Sequence, residues 1–485
     1  MASASPSTLI LGGGFGGLWT ALHLRHRRHS GQITLIDAQE RFVFKPLLYE
    51  LLTEELPEDV ICPAYRDLLV NSDIRFIQGE AIDIRLRERR VELRGGQSLE
   101  FDSLVLALGA AQGYLGTEGA EEYGFPFRSR EQALALKAHL KACLTEALET
   151  EDPRRKQALL TVAIVGAGPA GVEMAATLAD LLPNWYAAMG GKLRDLRLYL
   201  INHAPRILAG DANSGLQREA LRAFKERLLP VTLQLGTGVK AVGADFLDYQ
   251  TAGETEIQRL ETATTIWTAG AAVNPLLACL QEQLPPEERD RHGQPLVTPT
   301  LQLLGFPQIF GCGDCVAVQG DPQPALAQIA YQQGAVIAHN LLALERGEAL
   351  QSSRPALRGT LMKLGLGNGV ANLFDKMKIS GAAGDLLRNA TYLELLPTPL
   401  HNFNATRQWL AEETVNRYHH PHGTTPEALK LLGLSPARRR ERSWVQGLAL
   451  AAPILFALGV VVGLQTPPQE QAPFQPLPSS LQKPR

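Results

Sequence analysis

The stretch Thr8-Leu9-Ile10-Leu11-Gly12-Gly13-Gly14-Phe15-Gly16-Gly17 constrains the fold more than any other part of the chain. Its β-branched and apolar start reads as a buried parallel strand, and its glycines fit a strand-to-helix turn that admits a pyrophosphate against bare backbone. Gly12 makes the tight turn, Gly14 lets phosphate oxygens approach the helix N-terminus, and Gly17 lets the helix sit close to the strand, with Phe15 and Gly16 in the same cradle. Gln32 to Ile36 reads as the next strand and ends on Asp37, about twenty residues after Gly17, where an acid for a ribose hydroxyl is expected. The alternative, a glycine-rich turn without a ligand, is disfavoured by the order strand, turn, helix, strand, acid.

The pattern returns later. Leu160 to Val165 is a strand, the segment Gly166-Ala167-Gly168-Pro169-Ala170-Gly171 repeats the glycine turn, and an alanine-rich helix follows. Two such turns in one chain predict two dinucleotides, with Glu131 to Glu151 as a helical, charged linker between them. The second unit departs from the pattern where its acid should stand: the strand Leu196 to Ile201 ends on Asn202, with His203 and Arg206 just beyond. A carboxylate there binds a free 2′-hydroxyl and repels a 2′-phosphate; Asn202 does neither strongly, and Arg206 tolerates the phosphate. That Asn202 merely caps the next turn is an equally open reading.

Two further strands, Phe101 to Leu108 and Thr264 to Ala269, each close on a glycine, Gly109 and Gly270. Phe306 to Gly311 is an apolar strand running into Cys312-Gly313-Asp314-Cys315, and Pro324 to Gly334 opens a helix. Cys312 and Cys315 match C-x-x-C, so a thiol–disulfide role competes with one in which Asp314 accepts hydrogen bonds from a flavin ribitol. No paired cysteines occur near Phe44, where a flavin disulfide reductase needs them. Arg41 to Leu51 is apolar and aromatic, and Pro46 forbids a helix through that point, which predicts a buried turn feeding a helix. Ile74 to Ile77 and Arg90 to Leu93 look like strands.

Composition narrows the class. The 485 residues allow roughly two to four domains. A 45% hydrophobic and 20% charged content suits an ordinary folded α/β protein. A net charge of -3 supplies no positive field to collect phosphates, which argues against nucleic acid as a partner. Cys62, Cys143, Cys279, Cys312 and Cys315 are scattered and odd in number, so a reducing compartment without a disulfide framework is expected. Met1 to Ser7 is small and polar, so no secretory signal is expected and the body stays in the cytoplasm.

On these residues the chain resembles the type II NADH:quinone oxidoreductases, within the two-dinucleotide flavoprotein superfamily, from about Thr8 to about Thr398. The two glycine turns, Asp37 and Gly313-Asp314 are shared across the superfamily. The family-specific part is Phe44-Lys45-Pro46-Leu47-Leu48-Tyr49 together with Ala327-Gln328-Ile329-Ala330-Tyr331-Gln332-Gln333-Gly334, which is similar to the A-Q-x-A-x-Q-x-G signature of the quinone pocket. The resemblance implies FAD on the first turn, with Asp37 on the adenosine ribose and Asp314 on the ribitol, and NADH or NADPH as co-substrate on the second. It places Lys45 and Pro46 against the isoalloxazine, and Gln328 and Gln332 along the route of quinone to the flavin, with Gly109, Gly270 and Ala327 in the cofactor cradle. Glu173 matches a family glutamate near the nicotinamide and quinone that is proposed to help proton movement; an acid early in a helix is also favoured by the dipole alone. Glu173, Lys45, Gln328 and Gln332 are thus the candidate catalytic residues. NADH-selective members usually carry an acid where Asn202 stands, so the nicotinamide preference stays open.

In the family, the region from about Gly365 to Leu400 rests on the membrane and often pairs two subunits. Asn404 to Leu434 reads as helical and polar, broken at His419-His420-Pro421-His422, where no Cys or acid at ligand spacing supports a metal. Trp444 to Leu464 is uncharged and long enough to cross a bilayer, with Pro453 only kinking it. Arg438, Arg439, Arg440 and Arg442 precede it, so the positive-inside rule keeps the body in the cytoplasm. A core helix or a hydrophobic surface anchor is the alternative. A span without ionisable residues offers no proton path, so no pumping is expected.

The expected architecture is α/β, with two Rossmann-like dinucleotide-binding domains for FAD and NAD(P)H, a C-terminal membrane-associated region and one C-terminal transmembrane helix. Residues 1–118 and 271–345 make the FAD domain and 119–270 the NAD(P)H domain. Residues 346–434 make a membrane-associating or dimerising region, 435–443 a basic linker, 444–464 the span and 465–485 a Pro-rich tail. The expected activity is a non-pumping NAD(P)H:quinone oxidoreductase that needs no metal. Its partners are a membrane quinone, NAD(P)H and the lipid bilayer, with a homodimer left open. The rivals are a slow redox-sensing flavoprotein and a biosynthetic reductase of a naphthoquinone precursor.

Overall fold

The computed structural model describes residues 6–209, 214–357, 359–373 and 377–411. The expected span, its basic linker, the tail and the histidines at 419–422 lie outside the described residues.

Ser7–Leu11 pairs in parallel with Gln32–Asp37 on one side and Ser103–Leu106 on the other. Ile74–Gln78 and Phe306–Gly311 extend this parallel core, and Gln302–Leu303, Leu296–Val297 and Ala317–Val318 complete an eight-stranded sheet. Leu9, Ile10, Leu35, Leu104 and Phe310 are buried, as expected of parallel strands covered on both faces. Arg90–Leu93 belongs instead to a separate antiparallel sheet with Ala81–Arg85 and Ser98–Glu100. After Asp37 the chain turns through a 3-10 helix, Lys45–Leu47, into the short helix Glu50–Thr53, the turn that Pro46 imposes.

The second unit is inserted between Ser103–Leu106 and Phe306–Gly311. The chain crosses into it along Ala110–Gln112 and returns along Ala271–Val273, and these two strands pair with each other antiparallel. Its own sheet is all parallel, in the order Val231–Leu235, Arg197–Asn202, Thr161–Val165, Thr264–Trp267, Gly124–Pro126. The linker expected at 131–151 is a helix, Arg130–Glu149, started by a Ser129–Gln132 capping box and packed through Leu136, Leu140 and Leu144 into this unit's core. It is part of the domain.

Beyond the helix Ala327–Arg346 the chain forms an antiparallel meander, Gly359–Lys363, Gly369–Leu373 and Met377–Gly381, followed by the helices Ala382–Glu394 and Pro399–Ala411. The polar helix expected from Asn404 is described only as far as Ala411. Among the described residues, no helix is long and apolar enough to cross a membrane.

Candidate functional site: two nucleotide cradles and a buried charge cluster

The two glycine turns are built alike. Gly12 N–H donates to Ile36 O at 2.8 Å, and Gly166 N–H donates to Ile201 O at 2.8 Å. Both glycines hold positive φ, +96° and +103°, which an L side chain rarely adopts. A Cβ on Gly17 would stand 1.9 Å from Gly12 O, and one on Gly171 would stand 1.7 Å from Gly166 O, so each helix touches its strand through bare backbone. At Gly14 and Gly168, by contrast, a Cβ would meet nothing within 4 Å. These two residues are the N-caps of the helices Phe15–His26 and Pro169–Ala188, and among the described residues neither helix receives a side-chain cap. Each turn therefore aims first-turn amides into open space, which fits the pyrophosphate of a dinucleotide.

The residues ending the second strands also correspond. Asp37 Oδ2 accepts the Gly13 N–H at 2.6 Å, and Asn202 Oδ1 accepts the Ala167 N–H at 3.0 Å. The Asn202 amide in turn donates to Ala204 O and Arg206 O. Asn202 thus performs the turn-holding part of the acid's work and caps the segment beyond it. No carboxylate stands at this position.

Lys45 is exposed, yet the protein mass around it, then Arg128, lower its pKa against the opposing pull of Asp314 and Asp37. These four charges from separate parts of the chain face one volume. Pro46 adjoins Lys45 in the 3-10 turn, and Gly109 and Gly270 stand where the two crossing strands begin. Gly313 N–H donates to Gln333 Oε1 at 2.7 Å, so the third glutamine of the octapeptide, missed in the sequence, holds the Gly313-Asp314 turn. Cys312 and Cys315 are fully buried, and burial pushes the Cys315 thiol up to about 12. A Cβ on Gly16 would lie 2.5 Å from Cys312 Sγ, so this cysteine fills the contact with the glycine-turn helix. The C-x-x-C pair packs; it is not poised as thiolate.

Ala327 opens the helix Ala327–Arg346, and Gln328 and Gln332 point to the segment before the meander. Gln328 Nε2 donates to Gly359 O at 2.8 Å; Gln332 donates to Ala356 O at 3.1 Å and accepts from Ala356 N at 3.0 Å. Aromatic contacts tie this helix to the first cradle: Phe15 to Trp19, Trp19 to Tyr331, Phe15 to Phe44, and Phe44 to Tyr392.

Glu173 sits in the second turn of its helix, which starts at Pro169, so the dipole reading carries less weight than the sequence suggested. Its Oε1 accepts the Lys363 N–H at 2.8 Å, and burial pushes its carboxyl up to about 7 despite Arg388. Around it lies a cluster that the sequence did not reveal. Glu50 Oε1 accepts from Lys363 Nζ at 3.2 Å and Arg388 Nη1 at 2.8 Å, Glu55 also accepts from Lys363 Nζ, and Arg388 Nη2 donates to Pro46 O at 2.6 Å. Glu50, Lys363 and Arg388 are each at most 1% exposed. The only signal for them in the sequence is that each is a charge within an apolar stretch.

The chain belongs to the pyridine nucleotide-disulphide oxidoreductases, whose family model matches residues 6–334. It is 34% identical to demethylphylloquinone reductase NdbB of Synechocystis, over 84% of this chain and 97% of that one. It is 32% identical to the type II NADH:quinone oxidoreductase Ndh of Mycobacterium tuberculosis, over 83% and 82% of the two chains. The solved structure of NDH2 from Plasmodium falciparum in complex with NADH superposes with a TM-score of 0.76 over 85% of this chain and 99% of that one, at 18% identity, a likeness of fold. Within its family the chain falls among the type II NADH:quinone oxidoreductases, which are FAD-dependent enzymes associated with membranes.

Proposed function

We propose that the chain is a non-proton-pumping NAD(P)H:quinone oxidoreductase, with FAD in the first cradle and the nicotinamide nucleotide in the second. The observation that carries this is the pair of matched glycine turns, each with an uncapped helix start and open space before it, in a chain related over most of its length to type II enzymes. FAD held in the first cradle would supply the two-electron chemistry that links oxidation of the nicotinamide to reduction of quinone. The protein holds the Gly13 amide with Asp37, sets Lys45 and Asp314 around the ring volume, and offers Glu173 as a carboxyl able to carry a proton near neutral pH. Gln328 and Gln332 brace Gly359 and Ala356, strap residues that border the route assigned to quinone.

Asn202 in place of an acid supports acceptance of NADPH as well as NADH. Leu400 and Phe403, 62% and 67% exposed on the last described helix, support contact with lipid, and the uncharged stretch 444–464 supports a C-terminal span with the body on the cytoplasmic face. The meander and its helices offer a surface for pairing two copies. The deciding experiment is steady-state turnover of detergent-purified protein with NADH and NADPH against several quinone head groups. Absence of bound flavin, or absence of quinone reduction, overturns the proposal.

One observation favours a second reading of the physiological role. The NdbB relative carries the name demethylphylloquinone reductase, which points to a quinone still to be completed as acceptor. A kcat/KM for a demethylated naphthoquinone at least tenfold above that for ubiquinone or plastoquinone head groups selects it.

A further inference from the structure

The overall reaction fixes a requirement that the cradles alone do not meet. In NAD(P)H + H⁺ + quinone → NAD(P)⁺ + hydroquinone, the nicotinamide C4–H bond breaks and two O–H bonds form on the quinone. The hydride brings two electrons and one proton, so the second proton comes from water.

A cavity of about 310 Å³ opens between the segment 50–58 and the helix Arg130–Glu149, lined by Glu50, Glu54, Glu55, Leu134 and Lys137 among others. Of these, Glu50 is the most buried charge, 1% exposed. Its Oε1 is held by Lys363 and Arg388, while its Oε2 is buried without a partner among the described residues. The arrangement is costly, because a buried carboxylate oxygen without a donor forgoes the hydration it had in water. Glu55, whose side chain is more exposed than that of Glu50, accepts from Thr53 Oγ1 and from the same Lys363 ammonium. On the inner side, Arg388 reaches the Pro46 carbonyl, and the Lys363 backbone N–H reaches Glu173.

We propose that this cluster is the port through which the reaction takes up its solvent proton, with Glu50 Oε2 receiving it from water in the cavity and passing it on toward Glu173. The inference rests on the activity proposed above. The charge balance supports it: among the described residues, Glu50, Glu55, Glu173 and Asp385 share a desolvated site with the two fully buried cations Lys363 and Arg388. Burial accordingly pushes Asp385 up to about 6 and Glu173 up to about 7, while on Glu55 burial is outweighed by Lys363. Glu54 and Lys137 at the mouth, Tyr49 and Tyr392 beside the cluster, and the Asp180–Arg227 pair behind Glu55 complete the ionisable surroundings. Arg388 stays charged and Lys363 is held charged by Glu50 and Glu55 against burial, so the two cations anchor the carboxyls and the carboxyls carry the proton.

The test uses the flavin-loaded protein in rapid mixing, with a pH indicator for proton uptake. Leu134→Trp fills the cavity without touching a charge. It should leave bleaching of the flavin by NADH at the wild-type rate, slow the return of colour with a short-chain quinone about tenfold, and enlarge its solvent deuterium isotope effect. Glu50→Gln should slow that return about a hundredfold, and Glu50→Asp should recover part of it. Independently of turnover, infrared pH titration should show a protonated-carboxyl band that Glu173→Gln removes and whose midpoint Glu50→Gln lowers, since the charge on Glu50 helps hold the Glu173 proton. Wild-type re-oxidation rates and isotope effects in both Leu134→Trp and Glu50→Gln overturn the port, and if Glu50→Gln fails to fold, Leu134→Trp decides. A wild-type protein that reduces no quinone overturns this inference together with the activity it rests on, whereas normal turnover with an indifferent cavity overturns the port alone.

Discussion

At Gly171 an added methyl would lie 1.7 Å from the Gly166 carbonyl oxygen, a backbone atom that cannot swing aside as a side chain could. Gly171→Ala should therefore push the helix Pro169–Ala188 off its strand and abolish NADH binding while the flavin stays bound, as read by nucleotide titration and the flavin-to-protein absorbance ratio. Gly17→Ala should do the converse damage and yield protein without its yellow colour. Asn202→Glu should shift preference toward NADH by about tenfold or more, since a carboxylate repels a 2′-phosphate and binds a free hydroxyl; kcat/KM for the two nucleotides checks it. Glu173 supplies a pH signature. The folded protein holds its proton more tightly than the unfolded chain, so its contribution to stability is complete below the usual 4.5 and is lost as pH rises through about 7. The Tm of the wild type relative to Glu173→Gln should fall across that window. Much of this scale was legible in sequence, because glycines at fixed offsets after a strand leave few backbone solutions. Asn202 was legible only as two alternatives, and the structure shows it holding both the turn before it and the segment after it.

Among the elements, the helix Ala382–Glu394 is joined to the turn at Pro46 by a single buried guanidinium, which bridges Pro46 O, Glu50 and Asn389. Arg388→Leu leaves Glu50 short of a partner in a desolvated site. It should cost about 3–5 kcal/mol and expose the meander to protease before the flavin is lost, measured by denaturant unfolding and limited proteolysis. Here the sequence was a poor guide. Glu50, Lys363 and Arg388 lie on a short helix, a strand and a late helix, and periodicity says nothing about which charges meet across such separations. Conversely, the 131–151 segment read as a linker because charged residues and good helix formers mark any exposed helix, while its buried stripe of Leu136, Leu140 and Leu144 becomes decisive only against a sheet that the window does not contain. The glutamines of the octapeptide were visible as a group, yet Gln333 serves the Gly313 turn and Gln328 and Gln332 the strap, a division of labour set by helix rotation.

For the molecule as a whole, cutting after Ser443 should leave a flavin-containing protein that still reduces water-soluble short-chain quinones but no longer floats with vesicles; flotation assays and absorbance spectra check both halves. Loss of flavin on truncation would contradict the assignment of the cofactor to the cradles before residue 346. The repeat of glycine turns made two nucleotide units readable from sequence. The route of the chain between them was not, because the pairing of Phe306–Gly311 with Ser103–Leu106 is a contact across the entire inserted unit.

That pairing also sets a timetable for biosynthesis. The first glycine turn emerges early from the ribosome, but its neighbouring strand edge at Ser103–Leu106 stays open, and the helix that meets Gly16 through Gly334 is made much later. The nicotinamide unit, contiguous in the chain, can mature while the earlier half waits. Translation interrupted in between leaves a nascent polypeptide with a bare parallel edge, so its fate should be chaperone capture or degradation, and flavin should be incorporated only once residue 346 has cleared the exit tunnel.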